Sequence, residues 1–433
     1  MSKASLLRLG LFQLTAGGLS VLFLGVLNRV MRVELGLDLF VVSLLVGGGH
    51  YLGALAAIPF GFFSDRHPIM GYRRTIYILL GMLVAVSVLI LSPWVGLWLA
   101  DSVTTSMLIA GFGFFLLEGI GTFIAGTAFL ALIAEKTTKE ERGQATGLVW
   151  TMLFTGIILT GIGTSILLSE YDFVNLVTLF AVAGVIAVTL AVIALIGQEE
   201  RVKGPVEDQR GRFIDALRTV GNSKSSRWFA AFLLLGLGAF FMQDVILEPF
   251  GGEVLRLTPS ETTRFNVYMG VGLILSMLLG GMILIPRRGK RWVTELGCWI
   301  LVITFAALAA SSFFTSGMGL PLIIAFLGVG GGLFTVGGVA MMMDMTSAAH
   351  VGLFVGAWTL IQALARGPAS LVGGGLFSAF SELGATAAQG YGAVFAIEMF
   401  VIFVSIFFLR RVAVKDFQRE VVSLGAFAAE AMD

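Results

Sequence analysis

The sequence predicts an all-α membrane protein with twelve transmembrane helices in two pseudo-symmetric bundles of six and both termini in the cytoplasm. The first observation is composition: 57% of the residues are hydrophobic and only 13% are charged, whereas a soluble domain has roughly 45–50% apolar and about 25% charged residues. The second is a series of long apolar stretches. The third is an alternation of loops that are rich and poor in Lys and Arg. Together they exclude a soluble fold.

Twelve stretches are long enough to cross a bilayer, which takes about 20 apolar residues per helix. The first stretch follows Lys3 and Arg8 and continues to Asn28 and Arg29 without a small-residue cleavage site, so we interpret it as a retained helix rather than a signal peptide. The predicted spans are 9–28, 40–63, 75–94, 105–134, 145–168, 173–196, 228–250, 260–285, 292–314, 319–343, 351–379 and 389–409.

The distribution of Lys and Arg predicts the orientation, because cytoplasmic loops carry the excess of basic residues. With both termini inside, 23 of the 28 Lys and Arg residues lie on the cytoplasmic side. The outer side keeps Arg29, Arg32, Arg256 and Arg264, and Arg366 lies within a span. The net charge of +1 conceals this asymmetry, and no basic patch indicates a nucleic-acid partner. The lipid bilayer is the predicted environment.

The longest polar stretch divides the chain into two halves. We predict an N-terminal six-helix bundle at 1–196, a cytoplasmic linker at 197–227, a C-terminal six-helix bundle at 228–410 and a cytoplasmic tail at 411–433. Similar glycine and arginine patterns after the second and eighth spans favour an internal duplication, as in many transporters. The single cysteine, Cys298, excludes an internal disulfide and a cysteine-based metal site.

The loop between the second and third spans resembles the major facilitator superfamily signature G-x-x-x-D-[RK]-x-G-x-[RK]-[RK], with three additional residues. We therefore expect a major-facilitator-like bundle. Glycine would let helices approach closely, and the charged residues could form a latch that gates a conformational change. Simple positive-inside anchoring is the alternative for Arg73 and Arg74. The candidate latch residues are Gly61, Asp65, Arg66, Gly71, Arg73 and Arg74, with Arg142 at the start of the fifth helix.

His50 lies near the middle of the second span, and Gly47, Gly53 and Ala54 share its helix face. A flat macrocycle with a central metal could lie on this face with the imidazole as axial ligand, since neutral histidine is a common metal ligand. The alternative is tight helix packing through the small residues, with His50 hydrogen-bonded to a neighbour.

Further candidates are ionisable residues inside the spans, where a charge is expensive enough to indicate function. Glu118 in the fourth span could carry a proton, bind a cation, ligate a pigment or make a structural hydrogen bond. Arg366 is a cation deep in the eleventh span and requires an acidic partner, for which Glu118, Asp244 and Glu398 are candidates, or an anionic substrate group.

The densest polar cluster is Gln243, Asp244 and Glu248 at the outer end of the seventh span. Asp244 and Glu248 are four residues apart and share a helix face, so we expect a proton, a cation or an arginine between them. Pro249 is expected to end the helix. The alternative is a set of interfacial acids at the outer surface. The eighth helix should begin with a capping box at Thr258.

The run QDVILEPFGGEVL at 243–255 closely resembles the seventh-helix motif of the PucC family, also called the bacteriochlorophyll delivery family. The segments 8–13, 28–31 and 64–75 are also similar to that family, and the resemblance covers essentially the whole chain. It implies a twelve-helix protein of the inner (photosynthetic or intracytoplasmic) membrane of a phototrophic bacterium. Such a protein is required for light-harvesting complex assembly and handles or delivers (bacterio)chlorophyll.

The resemblance implies light-harvesting antenna polypeptides as partners, together with pigment-synthesis enzymes and reaction-centre complexes. Under this hypothesis (bacterio)chlorophyll or a related tetrapyrrole is the ligand, with no other protein-bound metal, and His50 or Glu118 ligates its magnesium. Enzymatic activity is not expected, because the spans lack the paired aspartates of a membrane prenyl transferase. The alternatives are a proton-coupled small-solute transporter that uses Glu118 or Asp244, and an assembly scaffold that moves no ligand.

Overall fold

The computed structural model describes residues 3–55, 60, 67–137, 142–201, 224–313, 319–344 and 351–413. Within these ranges the chain is helical apart from short loops and one isolated bridge between Ile69 and Tyr72, which confirms the all-α class. The helices are α1 (Ala4–Glu34), α2 (Leu39–Leu52), α3 (Thr75–Asp101), α4 (Thr105–Lys136), α5 (Arg142–Leu167), α6 (Phe173–Leu195), α7 (Lys224–Glu253), α8 (Pro259–Arg288), α9 (Lys290–Ser311), α10 (Leu320–Asp344), α11 (Val351–Glu382) and α12 (Ala387–Arg410).

Ten helices in the described residues are long and apolar enough to cross a membrane, namely all except α2 and α11. Large apolar side chains such as Val182, Val185 and Ile186 of α6 are exposed on the outside of the bundle, where lipid rather than water would contact them. The chain is therefore a multi-pass membrane protein. Twelve crossings and cytoplasmic termini stay predictions.

The hydrophobic core has two parts, one formed by the helices up to α6 and the other by the helices from α7 onward. Two clusters of buried side chains belong to α1–α6, and a third, larger cluster belongs to α7–α12 with Leu39 of α2. We call α1–α6 the first helix set and α7–α12 the second helix set. The boundaries at 196, 227 and 410 stay predictions, because most of the linker and the tail lie outside the described residues.

The two helix sets contact each other mainly through α5 with α8 and through α2 with α11. A side chain added at Gly161 of α5 would meet Val267 at 2.9 Å, and one at Gly270 of α8 would meet Ile158 at 3.1 Å. These contacts lie toward the end of the bundle that carries the α1–α2 and α7–α8 loops, which we call the closed end. The opposite end carries Lys3 and Arg410.

The ends of α1 and α7 differ from the predictions. We expected the first span to finish at Asn28 and Arg29, but α1 continues to Glu34 and includes π-helical turns at Val21–Leu27 and Val30–Glu34. The charged residues can remain in the helix because they have hydrogen-bond partners, described below.

The expected helix end at Pro249 is also wrong, since α7 continues to Glu253. A proline in the last turns removes only one backbone hydrogen bond, and the buried packing of this segment compensates for it. The predicted start of α8 is confirmed: Thr258 accepts from the Glu261 backbone and Glu261 completes the capping box.

Candidate functional site

A row of buried and partly buried polar side chains crosses the middle of the bundle between the two helix sets. It joins α4 and α2 of the first set to α7 of the second, with one side chain each from α11 and α12 beside it. We call it the central network, and its members are Thr122, Glu118, His50, Tyr51, Asp244, Gln243, Arg366 and Glu398.

His50 and Glu118 form a buried pair. Nδ1 of His50 lies 2.5 Å from Oε2 of Glu118, and the Thr122 hydroxyl donates to the other carboxylate oxygen at 2.7 Å. The rings of Tyr51 and Phe123 lie 4.9 and 5.3 Å from the imidazole, centre to centre. The carboxylate therefore fixes the orientation of the ring, which leaves Nε2 as the nitrogen that could ligate a metal.

Neighbouring helices occupy the glycine face beside His50. A Cβ atom at Gly47 would collide with Ser370 of α11, and one at Gly53 would collide with the backbone of Gly119 in α4. This conformation thus shows the packing alternative, in which small residues let helices touch. It leaves no room for a macrocycle on that face, and the role of His50 as a magnesium ligand stays a prediction.

Asp244 links the helix sets. The Tyr51 hydroxyl of α2 donates to Oδ2 at 2.9 Å, and the side-chain amide of Gln243 donates to Oδ1 at 3.0 Å. Asn28 of α1 also donates to the Asp244 backbone carbonyl at 3.4 Å. Sequence analysis did not select Tyr51, although a tyrosine directly after a buried histidine in an apolar span was a usable signal.

Glu248 has partners separate from those of Asp244. Its Oε1 accepts from Asn266 of α8 at 2.7 Å, and Arg29 lies within electrostatic range. Its Oε2 has no hydrogen-bond partner among the described residues. Glu248 is only 4% exposed, so it is a buried residue of the interface between α1, α7 and α8 rather than an interfacial acid on the outer surface.

Arg366 stacks on an aromatic ring instead of forming an ion pair within the described residues. Its guanidinium carbon lies 4.0 Å from the centre of the Phe241 ring, and its Nε has no hydrogen-bond partner there. Asp244 lies within electrostatic range of Arg366. Glu398 of α12 is fully buried, and in the described part of the chain neither of its carboxylate oxygens has a hydrogen-bond partner.

A second group of polar contacts joins the helix sets at the closed end. Arg32 of α1 forms a 3.0 Å ion pair with Glu253 of α7, and the Tyr391 hydroxyl of α12 donates to the same carboxylate at 2.7 Å. Nearby, Ser378 of α11 donates to Asp38 at 2.9 Å. Sequence analysis placed Arg32 in an outer loop and missed these contacts, because the partners are far apart in the chain.

The signature loop is anchored inside the first helix set. The Arg74 guanidinium donates to Glu135 of α4 at 2.8 Å. The Glu199 carboxylate, just after α6, accepts from the backbone N–H groups of Arg73, Arg74 and Thr75 and so caps the start of α3. An anion at a helix N-terminus is stabilised by the free N–H groups and the helix dipole.

The remaining latch candidates are described in part. Gly71 has a φ of +85°, a conformation that glycine adopts without strain. Gly61, Asp65 and Arg66 lie outside the described residues, and Arg142 starts α5 with a side chain that is not described. The gating role of this loop therefore stays a prediction.

Comparison with known proteins identifies the family to which this chain is similar. The family model described as PUCC protein matches residues 26–417. A Rhodobacter capsulatus protein named "Bacteriochlorophyll synthase 44.5 kDa chain" is 32% identical over 377 residues, which are 85% of this chain and 86% of the relative. "Protein PucC" of the same organism is 31% identical over 425 residues, covering 93% and 91%.

Among solved structures, a bacterial homologue of the human lysosomal transporter Spinster, in an inward-facing and unoccupied conformation, superposes with a TM-score of 0.69. The two chains are 16% identical, and the match covers 98% of this chain and 99% of the other. At this identity the likeness shows the fold, which is of the major facilitator type as expected from the signature loop.

Proposed function

Because this chain belongs to the PUCC protein family, we propose that it is an assembly factor of the photosynthetic membrane that binds (bacterio)chlorophyll and delivers it to light-harvesting polypeptides. The observation that carries this proposal is the family match over residues 26–417, together with relatives whose names refer to PucC and bacteriochlorophyll. One relative is named as a synthase chain, but the family and the transporter fold favour a non-enzymatic role.

The central network supports the proposal through its chemistry. A metal-ligating histidine usually donates a hydrogen bond from its other ring N–H to a carboxylate or carbonyl. The Glu118 carboxylate is in hydrogen-bond contact with Nδ1 of His50 and can accept such a bond. In this proposal His50 is the ligand of the pigment magnesium, and Glu118 orients it. We further propose that the pigment reaches His50 only when the second helix set moves away from Gly47.

Pigment titration tests this function directly. The protein is purified in a mild detergent and titrated with a magnesium tetrapyrrole while the absorbance of the ligated pigment is followed. We expect His50→Ala to lose the spectral change of axial ligation, whereas His67→Ala, an exposed histidine outside the network, should keep it. An intact protein that stays colourless and takes up no added pigment would refute pigment binding.

The proposed partners are light-harvesting antenna polypeptides, with pigment-synthesis enzymes and reaction-centre complexes nearby, and the proposed location is the inner or intracytoplasmic membrane of a phototrophic bacterium. Crosslinking in such membranes tests the partnership. Antenna polypeptides should be recovered with the wild-type chain. Their recovery with a chain that shows no pigment-dependent spectrum would favour the scaffold alternative instead.

Proton-coupled transport of a small solute is the second candidate, favoured by the fold and by the buried ionisable groups that lie between the helix sets. In it, Glu118 or Asp244 carries the proton. Uptake into proteoliposomes that depends on a proton gradient and is abolished by Glu118→Gln would support this candidate. Uptake without pigment binding would replace the assembly proposal.

A further inference from the structure

Arg366 is a cation inside the bundle whose hydrogen-bond donors are used by no residue that the structure describes. A guanidinium carries five N–H donors, yet Arg366 makes no hydrogen bond or ion pair to any residue that the structure describes, and it rests on the Phe241 ring. A Cβ atom added at the neighbouring Gly367 would lie 3.4 Å from the Cβ atom of Tyr51, so α11 packs against this part of α2. Arg366 therefore sits beside the hydrogen bond between Tyr51 and Asp244.

The charge of Arg366 is balanced, although no described residue accepts a hydrogen bond from it. Asp244 lies within electrostatic range of the guanidinium, and both of its oxygens already accept hydrogen bonds, from Tyr51 and from Gln243. Hydrogen-bond donors at both oxygens and a nearby guanidinium favour the ionised form of a carboxyl group. In the inference below, the site therefore holds one positive and one negative charge, and no described residue provides a hydrogen-bond acceptor for Arg366.

From this balance we infer that Arg366 is a subsite for a neutral carbonyl group of the cargo, and that Asp244 makes the site reject the same cargo as a free carboxylate. This inference rests on the proposed function and adds a specificity to it. A neutral acceptor satisfies the guanidinium and leaves the pair balanced. A carboxylate would bring a second negative charge next to Asp244 in a low-dielectric interior, where unpaired charge is costly.

A second carboxyl group, Glu398, lies within electrostatic range of Asp244, and no described residue donates a hydrogen bond to it. As an acid, it supplies no positive charge that could compensate an incoming carboxylate. Rejection by an unfavourable charge contact is a general route to specificity, and here it separates an esterified tetrapyrrole from its free acid.

A matched pair of ligands tests the inference: one magnesium tetrapyrrole whose propionate is a methyl ester, and the same macrocycle as the free acid. Both are titrated into the full-length protein in detergent. With wild type, we expect the ester to bind at least about tenfold more tightly, which corresponds to one charge-assisted contact. Arg366→Gln should lose about tenfold for the ester, and Arg256→Gln, an exposed loop arginine, should lose nothing.

The Asp244→Asn variant is the decisive test, because it leaves Arg366 without a counter-charge. This variant should bind the free acid more tightly than the ester. Arg366→Lys keeps the positive charge but loses the planar guanidinium. It should bind the ester more weakly than wild type does and still prefer the ester to the acid. This variant replaces Arg366→Gln if the latter does not fold.

Three results would overturn the inference. Equal binding of ester and acid by wild type would show that the site does not distinguish ligands by charge. Tighter binding of the acid would show that Arg366 binds an anion. An unchanged preference for the ester in Asp244→Asn would show that Asp244 is not the cause of the preference. In all three, pigment binding itself would stand. If neither ligand binds wild type, the proposed function fails as well.

Discussion

Neutralising Glu253 should loosen the closed end by a measurable amount. Glu253 accepts from Arg32 and from Tyr391, and thereby joins α7 to α1 and α12. The side chains of Arg32 and Glu253 are 17% and 23% exposed, so their interaction falls between a surface pair, worth at most about 1 kcal/mol, and a buried charged hydrogen bond of about 1.5–3 kcal/mol. For Glu253→Gln we expect the free energy that holds α1 against α7 to fall by about 2 kcal/mol. The equilibrium constant for separation of α1 from α7 at this end should therefore rise about 30-fold.

Thiol labelling can read out this shift, since Cys298 is the single cysteine and can be replaced by Ala. Val33 of α1 packs against Gly252 of α7, so a Val33→Cys reporter becomes accessible when that contact opens. The rate of reaction with a water-soluble maleimide should rise about 30-fold in Glu253→Gln. A Ser102→Cys reporter, which is exposed, should react at the same rate in both backgrounds.

Glu34→Gln is the matched control for this experiment. Glu34 lies at the same end, its side chain is also 23% exposed, and it pairs with Arg29, but that partner is on its own helix. It should leave the Val33→Cys rate within about twofold, since the pair lies within one helix. The hydrogen bond from Arg29 to the Leu257 carbonyl, which does cross between the helix sets, is kept. An unchanged rate in Glu253→Gln, or an equal rise in Glu34→Gln, would show that the ion pair across the helix sets does not hold the closed end.

Three further predictions concern a helix contact, a buried acid and a helix cap. Gly119→Ala should destabilise the protein by several kcal/mol, because its Cβ would collide with the His50 carbonyl, whereas Gly113→Ala on the same helix meets nothing within 4 Å and should be neutral or stabilising by up to about 1 kcal/mol; thermal unfolding in detergent compares them. Glu398→Met should raise the unfolding temperature, since it removes a buried carboxyl without partners in the described residues, and a lowered temperature would contradict this. Glu199→Gln should weaken the cap of α3 by about 1 kcal/mol, seen as faster hydrogen exchange at its first turn, and unchanged exchange would argue against the cap.

The helices could be predicted because the length and hydropathy of an apolar run are local properties. The start of α8 is a good example, since Thr258, Pro259 and Glu261 encode the cap within four residues. The end of α1 could not be predicted in this way. Arg29 and Arg32 look like the start of a loop. Besides their local partners, Glu34 and the carbonyl of Leu37, they bind the distant Glu253 and the carbonyl of Leu257, which no local pattern reveals.

The candidate site was predicted as separate residues and not as a network. His50, Glu118, Asp244 and Arg366 are each identifiable from the cost of a polar group inside a membrane span. Their pairing depends on which helices meet, and the sequence does not contain that information in any local pattern. Gly53 shows the same limit: a glycine beside His50 indicates available space, but only the fold shows that α4 fills it.

Two of the polar connections between the helix sets differ in the charge of their partners, and this gives them different responses to ionic strength. Arg32 and Glu253 are partly exposed opposite charges, so dissolved ions can screen their attraction. Asp244 instead accepts from the neutral hydroxyl of Tyr51, a side chain that is only 5% exposed, so this bond depends less on ionic strength. Raising the salt concentration should therefore relax the closed end while the middle of the bundle stays joined. Salt would thus release one of these connections and leave the other in place.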